Sequence, residues 1–143
     1  MIHMSVRAVT ARAEEVFAGR FPITCGSPTE IEPVDYKDWD IEFIVSLDED
    51  TIPTLPPLYG TAGTLKQMDL TRIVRHIPNP YRGEGKPIDM SVVDMGEVRK
   101  TALMIVALSE IGGVFFHCRK GKDRTGLVKT EVKHILNQLE ADA

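Results

Sequence analysis

The sequence predicts an α/β fold, in which a small, largely parallel central sheet is flanked by helices on both sides. Two short apolar runs, at 39–47 and 114–116, have the length and composition of buried strands. A longer apolar run at 98–111 lies between them and has the length of a helix. A one-sided helical pattern follows the second strand. Strands that alternate with helices favour parallel pairing, so these observations together indicate the fold class.

Composition places the chain among ordinary globular proteins. Its 143 residues are 43% hydrophobic and 27% charged, which predicts one domain spanning 1–143. The net charge of −4 argues against a nucleic-acid partner, because non-specific nucleic-acid binding requires a basic surface. No segment has the pattern of a signal peptide or the length of a membrane span, so we expect no stable membrane insertion.

The first fifty residues predict a helix, a loop and a strand in that order. Helix-like spacing of apolar residues predicts a weak helix over 1–20. The glycines and prolines of 19–30 predict a loop, which would contain Cys25. The strand over 39–47 is followed by an acidic turn at 48–50. We expect this turn to be solvated rather than metal-binding, since no histidine or second carboxylate cluster accompanies it.

The middle of the chain predicts mainly irregular structure. Prolines and glycines fill 51–64, and a short helix is expected around 65–70. Alternating apolar residues over 72–77 predict a second strand. Residues 78–90 contain too many glycines and prolines for a helix or a strand. Such loops carry functional residues more often than regular elements do.

The last third predicts a helix, the central strand and a second helix. Asp94 followed by Glu97 has the pattern of a helix start. The run 98–111 is apolar almost all round, which predicts a helix buried on every side. The strand 114–116 follows, and the final helix should pack through one apolar stripe. That stripe comprises Val128, Val132, Ile135, Leu136 and Leu139.

The loop between this strand and the final helix carries the chemistry. Cys118 opens the loop and Arg124 closes it, with five residues between them. Gly121 and Gly126 permit close backbone approach, and the helix that follows directs free N–H groups at the same point. A thiol pKa of about 8.5 falls to roughly 3.5–7.5 near a helix N-terminus or a cation, so we expect a thiolate. Thr125 is placed to donate a hydroxyl hydrogen bond to the sulfur.

Residues 117–126 resemble the signature loop of the cysteine-dependent protein tyrosine and dual-specificity phosphatases. The portion 121–126 is most similar to a bacterial branch of atypical tyrosine phosphatases. The resemblance implies that Cys118 is a nucleophile that forms a phosphocysteine intermediate during phosphomonoester hydrolysis. It implies that Arg124 binds substrate and stabilises the transition state, with no metal and no cofactor. The substrate-binding residues that it implies are Arg119, Lys120, Gly121, Lys122, Asp123 and Arg124.

The resemblance also implies a carboxylic acid that protonates the leaving oxygen, on a loop upstream of the signature. Asp89 is the first candidate, lying 118 − 89 = 29 positions before Cys118. Asp123, inside the signature loop, is the second. Glu84 and Asp94 compete with them, although Asp94 also suits the start of a helix.

Three alternatives remain open at this point. Extra cations at Arg119, Lys120 and Lys122 could engage further phosphates, which would favour a phosphoinositide or inositol phosphate over a phosphorylated protein. A phosphate-binding pseudophosphatase would have the same loop without a proton donor. A redox or arsenate-reducing enzyme would need Cys25 close to Cys118.

The two cysteines do not form a disulfide framework, and a thiolate enzyme requires reducing conditions, so we expect a cytoplasmic location. The chain ends 143 − 124 = 19 residues after Arg124. The resemblance implies further helices there, so we expect a minimal version of the domain, one truncated at its C-terminus, or one whose N-terminal helix covers the same face. The oligomeric state stays open.

Overall fold

A computed structural model of the protein describes residues 4–10, 13–18, 21–28, 36, 38–48, 70–119 and 123–142. Within these ranges, six strands form one sheet and two long helices pack on it. The strands are β1 Met4–Thr10, β2 Ala13–Ala18, β3 Pro22–Gly26, β4 Ile41–Ser46, β5 Thr71–Val74 and β6 Gly113–His117, and the helices are α1 Met95–Leu108 and α2 Asp123–Asp142.

The sheet has the strand order β1-β2-β3-β6-β4-β5. Four neighbouring strands, β3, β6, β4 and β5, are parallel. β1 and β2 extend the sheet as antiparallel strands beyond β3. The predicted α/β class with a largely parallel sheet is therefore confirmed, and the antiparallel edge is an addition that the sequence pattern did not indicate.

The predictions for the N-terminal segment were wrong. Residues 1–20 were expected to be helical, but their described part forms β1 and β2. Residues 19–30 were expected to be a loop, but 22–26 form β3, which pairs with β6. Pro22 and Gly26 gave the segment its loop-like composition, yet proline is tolerated as the first residue of a strand. Pairing with partners distant in sequence outweighed the local preference.

The predicted central strand is confirmed as β6. It lies between β3 and β4, and all five of its residues are buried. A Cβ atom built at Gly113 would lie 2.2 Å from the carbonyl oxygen of Asp40, so the close approach of the β4 segment requires glycine there.

Both helices cover the same face of the sheet, where their apolar residues share one core with β3, β4 and β6. α1 begins as predicted, because the Asp94 carboxylate accepts hydrogen bonds from the amides of Gly96 and Glu97. The expectation that this helix is buried on every side was wrong. Only the face that contacts α2 and the sheet is buried, and the Leu103 side chain is 48% exposed.

On the opposite face, Phe115 packs edge-on against Tyr36, with ring centroids 5.7 Å apart. The helix layer predicted for this face remains a prediction. The predicted strands at 39–47 and 72–77 are confirmed as β4 and β5.

Residues 78–89 lack helix and strand, as predicted, and a single 3₁₀ turn follows at Met90–Val92. The connection expected at 51–64 lies outside the described residues, as does nearly all of the helix expected at 65–70. Across the described ranges, no helix combines the length and apolarity needed to traverse a bilayer.

Candidate active site

Cys118 follows the last residue of β6, at the carboxyl edge of the parallel strands. Ligands of α/β sheets bind at this edge, because the loops there face outward from the strand ends. Arg119 follows Cys118, and the described chain resumes at Asp123, the first residue of α2. Three predicted substrate-binding residues lie outside the described ranges: Lys120, Gly121 and Lys122.

Thr125 contacts Cys118 in two ways. Its hydroxyl oxygen accepts a hydrogen bond from the Cys118 amide at 2.9 Å. Its hydroxyl also donates to the Cys118 sulfur at 3.1 Å. Because the amide already supplies one donor to the oxygen, the hydroxyl proton is directed at the sulfur. A hydrogen bond donated to sulfur stabilises its anionic form, and the N-terminus of α2 adds to this effect.

The sulfur lies at the boundary between the core and the loop. Cys118 is only 3% exposed, and it packs against the apolar core between the sheet and the two helices as well as against Thr125. A buried thiol without polar neighbours would be inert. The Thr125 hydroxyl and the first turn of α2 give this sulfur a polar environment on the loop side.

Arg124 is held at two of its nitrogens. Nη1 donates a hydrogen bond to the carbonyl oxygen of Ile77 at 3.2 Å, and Nη2 lies 3.6 Å from the Asp48 carboxylate. The residue is 7% exposed, so its guanidinium is a buried cation with defined partners. Such a group can present its remaining N–H donors to an oxyanion in a fixed plane.

Asp48 is a site residue that sequence analysis missed. It was predicted to belong to a solvated acidic turn, but it is buried between two arginines, with Oδ2 3.3 Å from Nε of Arg119. The prediction was wrong because Asp48 follows β4, and β4 ends beside β6 at the same edge of the sheet. The position of the residue directly after a buried strand was the available signal. The other two residues of the predicted turn, Glu49 and Asp50, lie outside the described ranges.

A second polar network lies behind the loop. The Nε of Arg72 donates to the Ser46 hydroxyl at 3.0 Å, and that hydroxyl lies 3.0 Å from Nε2 of His117. Nδ1 of His117 lies 3.2 Å from the carbonyl oxygen of Cys118. If Ser46 donates to Nε2, Nδ1 carries the proton and donates to this carbonyl. Burial lowers the pKa of His117 from 6.5 to about 4, so the ring is neutral near pH 7.

The part of the chain that contains this loop matches a known protein family. A sequence profile of the tyrosine phosphatase family matches residues 66–142, which is more than half of the 143 residues. The chain belongs to the tyrosine phosphatase family. The matched range contains β5, α1, β6, the signature loop and all of α2, and it begins after β4. A comparison with curated proteins finds no significant match.

Family membership confirms the resemblance that the signature loop indicated, and it supports a phosphatase function for the domain. The matched range includes Cys118, Arg124 and Thr125, whose hydrogen bonds and ion pairs are described above. It excludes Asp48 and Ser46, the two β4-end residues that contact the site.

The carboxylates expected to supply a proton differ in their surroundings. Asp89 caps the 3₁₀ turn and accepts hydrogen bonds from the amide and hydroxyl of Ser91. Arg82 pairs with it at 2.6 Å. The Ser91 hydrogen bonds, followed by Arg82, lower the pKa of Asp89, so its carboxylate is charged at neutral pH. Asp123 begins α2 and is partly buried beside Arg124.

The competing candidates lie elsewhere. Glu84 is exposed in the turn before Asp89. The carboxylate of Asp94 is occupied by the amides at the start of α1.

Cys25 lies on β3 rather than in the loop predicted for it. It is buried opposite Phe116 of β6, and its side chain belongs to the same apolar cluster as Cys118. The two thiols are not joined by a disulfide. Both belong to the apolar core on one face of the sheet, Cys25 on β3 and Cys118 directly after the neighbouring β6, a placement that local sequence did not indicate.

Proposed function

We propose that the protein hydrolyses phosphomonoesters through a phosphocysteine intermediate. The observation that carries the proposal is the hydrogen bond from the Thr125 hydroxyl to the Cys118 sulfur, next to an arginine held at the start of α2. A donor directed at the sulfur is what a thiolate nucleophile requires. Family membership supports the same reaction class.

In the first step, the Cys118 thiolate attacks phosphorus in line with the leaving oxygen. An S–P bond forms as the P–O bond to the leaving group breaks, and a carboxylic acid transfers its proton to the departing oxygen. Arg124 stabilises the negative charge on the equatorial oxygens. Its Ile77 and Asp48 contacts orient the guanidinium before substrate arrives, so little reorganisation is needed during reaction.

In the second step, water attacks the phosphocysteine while the same carboxylate, now charged, accepts a proton from it. The P–S bond breaks and the sulfur leaves as a thiolate, with inorganic phosphate as product. The Thr125 hydroxyl supports this departure, because it donates a hydrogen bond to the charge that develops on sulfur.

We assign the proton transfer to Asp123 ahead of Asp89. Both oxygens of the Asp89 carboxylate are already held by Arg82 and Ser91, so Asp89 would have to break these contacts to reach a leaving oxygen. Asp123 lies beside Arg124 and two residues before Thr125. Comparing Asp123→Asn and Asp89→Asn on aryl and alkyl phosphates tests the assignment. Loss of the acid should slow the alkyl ester far more than the aryl ester, whose leaving group needs little protonation.

The substrate that we propose is a phosphorylated protein, as phosphotyrosine or with dual specificity, in a reducing compartment such as the cytoplasm. A phosphoinositide or inositol phosphate is the second candidate. The observation that favours it is the Arg119 side chain, which is 63% exposed next to Cys118 and could meet a second phosphate. Rates measured side by side on a phosphotyrosine peptide and a phosphoinositide separate the two.

The decisive experiment uses p-nitrophenyl phosphate and the variant Cys118→Ser. We expect turnover by the wild type and a loss of more than about 10⁴-fold in the variant, since no thiolate remains to attack. A rapid-quench experiment followed by mass spectrometry should detect phosphocysteine at position 118 in the wild type only. Cys25→Ser is the matched control and should retain turnover. Full activity in Cys118→Ser would refute the covalent mechanism, and an inactive wild type would favour a pseudophosphatase.

A further inference from the structure

We propose that Asp48 is a positioning residue that orients Arg124 for the transition state, an inference that rests on the proposed function. Asp48 lies on a different element from the signature loop and outside the range that matches the family profile. Its carboxylate nevertheless contacts two residues of that loop, Arg119 at 3.3 Å and Arg124 at 3.6 Å. One carboxylate therefore connects the start of the loop to its end.

Burial makes these contacts consequential. The Asp48 side chain is about as buried as that of Arg124. Removing an ionised carboxylate from water carries a large penalty unless cations and hydrogen bonds compensate for it. Two guanidiniums supply that compensation, and Asp48 in turn offsets the charge of the buried Arg124. The pair holds a defined geometry that two mobile surface residues would not hold.

The backbone around Asp48 is fixed relative to both Cys118 and Arg124. The amide of Leu47 donates to the carbonyl of His117 at 2.8 Å, directly before Cys118. The carbonyl of Leu47 accepts from the amide of Ile77 at 3.0 Å. Ile77 is the residue whose carbonyl binds Nη1 of Arg124. The two anchors of Arg124 are thus tied to each other, and to the nucleophile, by backbone hydrogen bonds.

This arrangement determines which donors of Arg124 face a substrate. A guanidinium has five N–H groups in one plane. The Ile77 carbonyl engages Nη1 and the Asp48 carboxylate faces Nη2, so the plane is set by two partners on one side. The Nε side of the fork and the outer N–H groups are left to bind two equatorial oxygens. Without Asp48, the guanidinium could turn about its bond to the Ile77 carbonyl.

Asp48 does not suit the role of proton donor. Two cations within 4 Å favour its charged form, which has no proton to transfer. Its effect on the reaction should therefore pass through Arg124. This distinction between positioning and acid catalysis is measurable, because the two roles respond differently to the leaving group.

The first experiment measures kcat and KM of Asp48→Asn on p-nitrophenyl phosphate and on an alkyl phosphate. We expect kcat to fall by about tenfold to a hundredfold on both esters by a similar factor, since a misoriented arginine weakens the transition state whatever the leaving group. Asp48→Glu should recover part of the loss. Asp38→Asn, an exposed aspartate before β4, is the matched control and should behave as the wild type. Unchanged kcat in Asp48→Asn, or a loss confined to the alkyl ester, would overturn the proposal.

The second experiment is a pair of double-mutant cycles. If Asp48 acts through Arg124, adding Asp48→Asn to Arg124→Lys should lower kcat by less than about twofold more, because the fork is already gone. Adding it to Arg119→Ala should cost its full single-variant factor. The proposal would be overturned if Asp48→Asn lowered kcat by its full factor in the Arg124→Lys background. It would also be overturned if the effect of Asp48→Asn disappeared only in the Arg119→Ala background. A merely structural loss of stability would multiply in both cycles.

Failure of the proposed function can be told apart from failure of this inference. Calorimetric titration with tungstate, a non-reacting tetrahedral oxyanion, measures the site without turnover. If the wild type hydrolyses neither ester, the proposed function fails, while at least tenfold weaker tungstate binding in Asp48→Asn still supports the positioning role. Equal tungstate affinity in both proteins overturns that role. Thermal unfolding verifies that each variant is folded, and Asp48→Ser replaces Asp48→Asn in every arm if the latter does not fold.

Discussion

The segment from β6 into α2 and the N-terminal edge of the sheet, formed by β1, β2 and β3, differ in what determines their structure. In the first, the key contact joins Cys118 to Thr125, seven residues apart. In the second, Thr24 of β3 donates its hydroxyl to the carbonyl of Val114 across 90 residues of chain at 3.0 Å. Local spacing sufficed to predict the first segment, whereas the second was predicted wrongly as helix and loop.

Substitutions in the two regions should have different effects. Residues of the β6–α2 segment contact the groups proposed to react, so their substitution should change catalysis more than stability. Residues of the N-terminal edge support β6 through its pairing with β3, so their substitution should change stability and leave the chemistry intact.

Arg124→Lys should lower kcat by about 10²–10³-fold, because a point cation cannot bridge two phosphate oxygens. Steady-state kinetics on p-nitrophenyl phosphate measure the loss. Arg75→Lys is the control, since Arg75 forms a half-exposed ion pair with Glu97 in the first turn of α1. A similar loss of kcat in both variants would show that Arg124 contributes no more to catalysis than an arginine outside the signature loop.

The stability of the protein should fall between pH 6.5 and pH 4 because of His117. Its pKa is 6.5 in the unfolded chain and about 4 when buried. In this window the unfolded state binds a proton that the folded state does not, so the unfolding free energy decreases as pH falls. The stabilising contribution is fully present above pH 6.5. The loss of unfolding free energy reaches about 3 kcal/mol by pH 4.

Urea denaturation at several pH values measures this slope. His117→Gln should flatten it, because no group titrates at this position. The control His134→Gln, at an exposed position of α2, should keep it. An unchanged slope in His117→Gln would show that the buried imidazole is not the group responsible.

Thr125→Val and Thr24→Val remove the same hydroxyl from the two regions. In Thr125→Val, the pH at which iodoacetate alkylation of Cys118 is half-maximal should rise by about 1–2 units, since a hydrogen bond to the charged sulfur is lost. Alkylation rates measured from pH 4 to pH 10 give this midpoint. An unchanged midpoint would mean that the Thr125 hydroxyl does not stabilise the thiolate.

Thr24→Val should give the smallest effect, about 1 kcal/mol of unfolding free energy, for the lost bond to Val114. Its kcat and alkylation midpoint should match those of the wild type. A kinetic defect as large as that of Thr125→Val would show that the edge strand takes part in the chemistry, and the comparison would fail.

The fold could be predicted for those segments whose pattern of apolar residues directly reflects how they are buried. β4 and β6 are nearly continuous apolar runs, as strands buried in a parallel sheet are, and α2 carries a clean apolar stripe. α1 was predicted as buried on every side because its apolar residues are contiguous, yet only Val98, Thr101, Ala102 and Ile105 are buried. Leu103 and Ala107 remain exposed and other apolar residues of the helix are only partly buried, since one sheet and one neighbouring helix cannot cover a whole cylinder.

By itself the sequence determined that Cys118, Arg124 and Thr125 form one strand–loop–helix unit, because their spacing fixes how far the backbone can separate them. Only the tertiary structure brought Asp48, Ile77, Ser46 and Arg72 to this unit. These residues lie on or just beyond β4 and β5, and no short-range pattern encodes contacts between strands. Parallel strands end at the same edge of the sheet, so residues far apart in the chain converge there only once the sheet has formed.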